Sequence, residues 1–130
     1  EVGMPTVLVV EDDTSIRDMM KRRLVLRGFS VLEAADGPEA ILAVVRHNPD
    51  AILIDVGLPN GLSGWEVARA IRSDPVGATI RILAVTAHAS PADAERARAA
   101  GCDGFFTKPV NFDALVAALR APDSTGTTAP

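Results

Sequence analysis

Apolar residues cluster in five short runs, at 6–10, 30–34, 51–54, 81–85 and 104–107. Stretches such as AILI and ILAV show no polar alternation, which suits strands buried on both faces, as in a parallel sheet. Between the runs, apolar residues recur at helical spacing. The pattern predicts a first helix over 14–27, with Ile16, Met19, Met20 and Leu24 on one face and Gly28 placed to stop it. A second is predicted over 38–47, with Asp36 or Gly37 as cap, Pro38 in the first turn, and Ile41, Val44 and Val45 facing inward. The third spans 64–74 with Val67, Ala68 and Ile71 inward, and the fifth spans 111–120 with Leu115 and Leu119 inward. The fourth, over 91–100 and ended by Gly101, differs from the rest. Its segment PADAERARAAG carries no apolar residue larger than alanine after the opening proline. Alanine buries little surface, so this helix is either close-packed through its alanines or the easiest one to move.

Five strands alternating with five helices predict an α/β fold: a three-layer sandwich with right-handed crossovers. One domain is expected over 6–120, with 1–5 as an N-terminal extension. The last ten residues, APDSTGTTAP, hold no large apolar anchor, so 121–130 is expected to be a disordered tail. An apolar content of 48% is enough for a core and excludes disorder over most of the length. Acids outnumber bases 17 to 13, for a net charge of −4, with no stripe of Lys and Arg; direct nucleic-acid binding is not expected. Cys102 stands alone, which excludes an internal disulfide, points to a reducing compartment, and reads as a small packing residue. No apolar run approaches the ~18 residues of a membrane span, and no secretory signal pattern opens the chain. The expected setting is cytoplasmic, away from membranes.

The ends of the predicted strands add chemistry to this frame. In an open parallel sheet, ligands bind beyond the carboxyl ends of the strands. The first run ends in Glu11, Asp12 and Asp13, the third in Asp55, the fourth in Thr86 and the fifth in Lys108–Pro109. VLVVEDD thus gathers three like charges beside residues that want burial, which makes each costly to ionise. A divalent cation shared between neighbouring strand ends offsets that cost. Mg²⁺ takes oxygen ligands and typically uses one or two carboxylates together with a phosphate. Glu11, Asp12 and Asp55 supply such oxygens for Mg²⁺ or Mn²⁺, and Lys108 adds a positive charge opposite. Asp13 reads instead as a helix cap, with Thr14 as the alternative. The loop EDDTS lacks the glycine-rich amides of a phosphate cradle and by itself repels phosphate. A phosphoryl group can approach only with a metal bound, or placed covalently on a carboxylate.

The motifs LVVEDD, LIDVGLP, AVTA and GFFTKP, in that order at successive strand ends, resemble the receiver domains of two-component response regulators. The resemblance covers about 6–120. It implies a flavodoxin-like, doubly wound five-stranded parallel sheet of order 2-1-3-4-5 with five helices. It implies that Asp55 is the phosphoacceptor, taking a phosphoryl group from phosphohistidine on a histidine kinase or histidine phosphotransfer protein. Asp12 resembles the direct metal ligand, Glu11 one acting through water, and the Gly57 main-chain carbonyl a further ligand. Thr86 resembles the hydroxyl that grips the phosphoryl oxygen, and Lys108 the lysine that pairs with it, its bond to Pro109 often being cis. Phe105 resembles the aromatic switch residue that turns inward with Thr86. The surface of the fourth helix, fifth strand and fifth helix would then change and meet a downstream protein target, with the chain a monomer or weak dimer. Such a protein is a signalling switch rather than an enzyme, either a stand-alone regulator or the receiver of a hybrid kinase.

Three departures stand out. LPNGLSGW holds one residue more between Pro59 and Gly64 than the common pattern, so the loop after Asp55 is expected to differ in shape. The switch position is Phe105 rather than tyrosine, so no phenolic hydroxyl can lock the state. Gly57 and His88 occupy the two positions that tune dephosphorylation. Trp65, opening the third helix, is expected to be partly buried and to report on the metal site by fluorescence. Two competing readings share the residues. A phosphorylation-independent binding module of the same fold would not need Asp12, Asp55, Thr86 and Lys108 together. An aspartate-based phosphatase would carry a second acid two residues after the nucleophile, where this chain has Gly57.

Overall fold

A computed structural model describes residues 4–59, 61–87 and 90–120. His88 and the 121–130 tail, about which the sequence carried expectations, lie outside the described residues, as does 1–3 of the N-terminal extension. Strands β1 (Thr6–Val10), β2 (Ser30–Ala34), β3 (Ala51–Asp55), β4 (Arg81–Thr86) and β5 (Gly104–Thr107) alternate with helices α1 (Thr14–Leu26), α2 (Gly37–His47), α3 (Gly64–Ser73), α4 (Pro91–Ala99) and α5 (Phe112–Arg120). A short 3-10 turn, Pro75–Gly77, which the periodicity did not predict, is capped by the Asp74 side chain on Val76 N–H. All strand pairs are parallel and the order is β2-β1-β3-β4-β5. The predicted elements are thus all present, with β3 and β4 each one residue longer than predicted and the helix ends shifted by a residue or so.

Strand alternation divides the core into two layers. Leu8, Val10, Ile52, Ile54 and Ile82 face one side, where Val44 of α2 and Val67, Ala68 and Ile71 of α3 cover them. Val7, Val9, Leu53 and Leu83 face the other, under Leu24 of α1 and Leu115, Val116 and Leu119 of α5. Burying a Leu, Ile or Val side chain contributes roughly 1.5–3 kcal/mol, so these two layers are the main driving force for the fold. Asp13 caps α1 by accepting from Ile16 N–H, and Asp36 caps α2 by accepting from Glu39 N–H. Gly28, at φ +94°, stops α1 in a backbone region that only glycine enters freely.

Two helix faces differ from expectation. Only Leu24 of α1 is fully buried; Ile16 and Met19 are 36% and 42% exposed. They border a cleft of about 330 Å³ beside the strand ends rather than a closed core. On α2 the buried stripe runs Ala40–Val44, and Val45, about 100° further round, is exposed. On the fourth helix, Ala97 is the one buried residue, and a Ser90–Asp93 capping box closes its start.

Candidate functional site

The carboxyl ends of β1, β3, β4 and β5 lie side by side. Glu11 continues β1 by one step, its N–H donating to the Ala34 carbonyl at 3.0 Å. Lys108 continues β5, its N–H donating to the Thr86 carbonyl at 2.8 Å. Alternation therefore sets Glu11, Asp55 and Lys108 on the face of Val9, Leu53 and Phe106, and all three line the same cleft. Thr86 and Phe105 fall on the opposite face, with Ile82 and Ala84. The sheet separates the charged cluster from the two residues expected to switch, and Asp55 is the last residue of β3.

Carboxylate oxygens of Glu11, Asp12 and Asp55 lie within 4.8 Å of one another. Lys108 Nζ is 3.5 Å from Asp55 Oδ1 and 3.7 Å from Glu11 Oε1. Asp55 Oδ1 also accepts from Gly57 N–H at 3.3 Å, and Glu11 Oε2 accepts from Asp13 N–H at 3.1 Å. Glu11 and Thr86 are the buried polar side chains among the described residues, whereas Asp12 is exposed and Asp55 half-buried. Burial pushes the Glu11 carboxyl above its usual value, and the Asp13 amide opposes this; Asp55 and Asp12 add repulsion while Lys108 relieves it. The Lys108–Pro109 bond is cis. An all-oxygen set of three clustered acids beside one ammonium fits a hard divalent cation such as Mg²⁺.

Of the residues singled out from sequence, Glu11, Asp12, Asp55 and Lys108 come together in one cluster. Gly57 is exposed beside it, Thr86 is buried at the end of β4, and Phe105 is half-buried. Asp13 is the cap, as expected. Sequence reasoning missed Arg17, whose guanidinium reaches the Glu11 carbonyl at 2.8 Å. Its only sequence signal is its place one turn into α1, directly after the acids.

The profile of the response regulator receiver domain matches residues 7–120. The chain belongs to that family. Among its relatives is response regulator MprA of Mycobacterium leprae (strain TN), 39% identical over 115 residues, which are 88% of this chain and 49% of that protein. The receiver chain described here thus spans about half the length of the curated relatives it matches. Chemotaxis protein CheY4 of Vibrio cholerae has the same fold, with a TM-score of 0.85 at 34% identity, covering 91% of this chain and 98% of that one. So does the receiver domain of sensor histidine kinase PA1611 from Pseudomonas aeruginosa PAO1, with a TM-score of 0.82 at 33% identity, covering 92% and 96%. That structure holds a magnesium ion coordinated in its active-site cleft. Among the described residues of this receiver domain, no helix is long and apolar enough to cross a membrane.

Proposed function

We propose that this receiver domain accepts a phosphoryl group on Asp55 from phosphohistidine of a histidine kinase or histidine phosphotransfer protein. The observation that carries the reading is the Lys108 ammonium 3.5 Å from Asp55, beside acids gathered within 4.8 Å. A carboxylate oxygen of Asp55 attacks phosphorus; the P–N bond breaks as the P–O bond forms, leaving an acyl phosphate. Glu11, Asp12 and Asp55, with the Gly57 carbonyl, would hold Mg²⁺ or Mn²⁺. When bound, the ion neutralises charge on the phosphoryl oxygens. Lys108 moves its ion pair from the carboxylate to the phosphoryl group, so the added charge of about −1.5 to −2 meets a fixed cation. Thr86 donates to a phosphoryl oxygen from the other face of the sheet, and Phe105 follows it inward. The α4–β5–α5 surface then presents a changed contact to a protein target. α4, with Ala97 as its one buried residue, is the element such a local change can shift. A Cβ at Gly57 would meet open space, which leaves a path for the water that ends the signal.

The test is incubation with Mg²⁺ and acetyl phosphate, followed by intact-mass measurement. A hydrolysable adduct of one phosphoryl group is expected, absent in Asp55→Asn and absent without the metal. An unmodified wild-type protein would instead favour a binding module that needs no phosphoryl group.

A further inference from the structure

The Glu11 carbonyl is the first one beyond the β1–β2 ladder. β2 has ended at Ala34, and just past it Ala35 N–H donates to Glu39 Oε1 at 2.8 Å. Arg17 Nη1 takes up that carbonyl at 2.8 Å. The same guanidinium is held from the other side, with Nε 3.2 Å from Glu33 Oε1 on β2. Glu33 is in turn braced by Lys21, whose Nζ is 3.3 Å from Oε2. The Arg17 backbone N–H donates to the Asp13 carbonyl in the first turn of α1, so one residue ties the end of β1, the edge strand and the helix together.

The Glu11 carbonyl belongs to the peptide plane that joins Glu11 to Asp12. A planar peptide held at its oxygen restricts the backbone torsions on both sides of it. Those torsions decide where the Glu11 and Asp12 carboxylates project. We infer that Arg17, seated on Glu33, is a positioning residue for the cation site. It fixes the Glu11–Asp12 peptide so that both carboxylates face Asp55. Groups that orient metal ligands from behind commonly alter metal affinity by about 10–100-fold when removed. Arginine suits the role because its planar fork satisfies two acceptors in fixed directions, which a lysine ammonium does not. The inference rests on the reading that Glu11, Asp12 and Asp55 bind Mg²⁺.

Calorimetric titration with MgCl₂ alone tests it, on wild type, Arg17→Ala, Arg17→Lys and Glu33→Gln, with urea unfolding in EDTA as the check on folding. Wild type is expected to bind, and Arg17→Ala to bind about tenfold more weakly. Arg17→Lys should recover little of the loss, and Glu33→Gln should show a smaller weakening in the same direction. In acetyl phosphate labelling, the Mg²⁺ concentration for half-maximal rate should rise in parallel while the saturating rate is kept. Folded Arg17→Ala with wild-type affinity overturns the inference and leaves the metal reading intact. Wild type that binds no Mg²⁺ overturns both. If Arg17→Ala does not fold, Glu33→Gln decides: unchanged affinity there removes the positioning role.

Discussion

The rings of Trp65 and Phe105 stand 6.3 Å apart, tilted by 37°. Trp65 opens α3, whose first residue, Gly64, donates its N–H to the Val56 carbonyl next to Asp55 at 2.9 Å. Phe105 lies on β5, two strands away from Asp55. The Phe105 ring therefore meets an indole anchored beside Asp55. Phenylalanine has no hydroxyl with which to fix its position. Tilted ring contacts of this kind are worth about 0.5–1.5 kcal/mol beyond burial, a scale that a phosphorylation event can overturn.

This contact gives an optical readout, because Trp65 is the single tryptophan. Phe105→Ala is expected to shift its emission in the unphosphorylated protein. Phosphorylation of Asp55 should change wild-type emission beyond the effect of Mg²⁺ alone and should leave most of that extra change out of the variant. Identical spectra for both proteins in both states would mean that the rings do not communicate.

Much of this was legible in the sequence because strands buried on both faces advertise themselves as unbroken apolar runs, and each charged motif followed one of them. The cluster of Glu11, Asp12, Asp55 and Lys108 follows from parallel topology alone. Other features depend on where neighbouring elements stop. Ile16 and Met19 fit a helical stripe, but periodicity cannot say that α1 leaves a cleft open over them. Arg17 reads as an ordinary helix cation until folding brings Glu33, 16 residues away, to its Nε. The aromatic pair joins residues 40 apart, with no local pattern to announce it.

Gly64 is expected to tolerate no side chain. A Cβ there would stand 2.7 Å from the Asp55 carbonyl oxygen and 2.7 Å from the Val56 Cα, both backbone atoms that cannot swing away. Gly64→Ala should lower stability by about 1–3 kcal/mol in urea unfolding, the usual cost of overpacking. It should also slow adduct formation on Asp55, because relief of the clash moves the end of the strand that carries it. A variant with wild-type stability and labelling rate would show that α3 can back away freely.

The Glu11 carboxyl is raised above the usual glutamate value of 4.5, mainly by burial. The metal-free native state then binds a proton more readily than the unfolded chain. That contribution to stability is full below about pH 4.5 and is lost as pH rises through the raised value. Glu11→Gln, which cannot titrate, should flatten this decline in urea midpoints measured in EDTA from acidic to neutral pH. Mg²⁺ acts in the opposite sense by favouring the carboxylate, so wild-type Mg²⁺ affinity should fall as pH drops through the same range. Parallel stability profiles for the two proteins would assign the pH dependence elsewhere.

At the opposite end of the sheet, Arg72 of α3 gathers the loops. Its Nη1 donates to the carbonyls of Gly77 at 3.1 Å, Ala78 at 3.1 Å and Ile80 at 2.7 Å. Its Nε and Nη2 donate to the Gly101 carbonyl at 3.1 and 2.8 Å, and Nη2 pairs with Asp103 at 2.8 Å. Asp103 Oδ2 in turn accepts from Ile82 N–H, which ties the end of α4 to the start of β4. Charge-assisted hydrogen bonds contribute about 1.5–3 kcal/mol each, but they share one side chain and do not add, so Arg72→Ala should cost about 2–4 kcal/mol. Cys102 provides a second, local readout. Burial, then the Asp103 charge, push its thiol up to about 11, so native labelling by a thiol reagent at neutral pH should be slow. Arg72 itself lowers that value, and its removal alone would make the thiol less reactive. Faster labelling of Arg72→Ala would therefore report opening of the α4–β5 connection rather than a change in acidity. That is the expected result, and slower labelling in a protein of unchanged stability would deny Arg72 its role in holding the fourth helix at its C-terminal end.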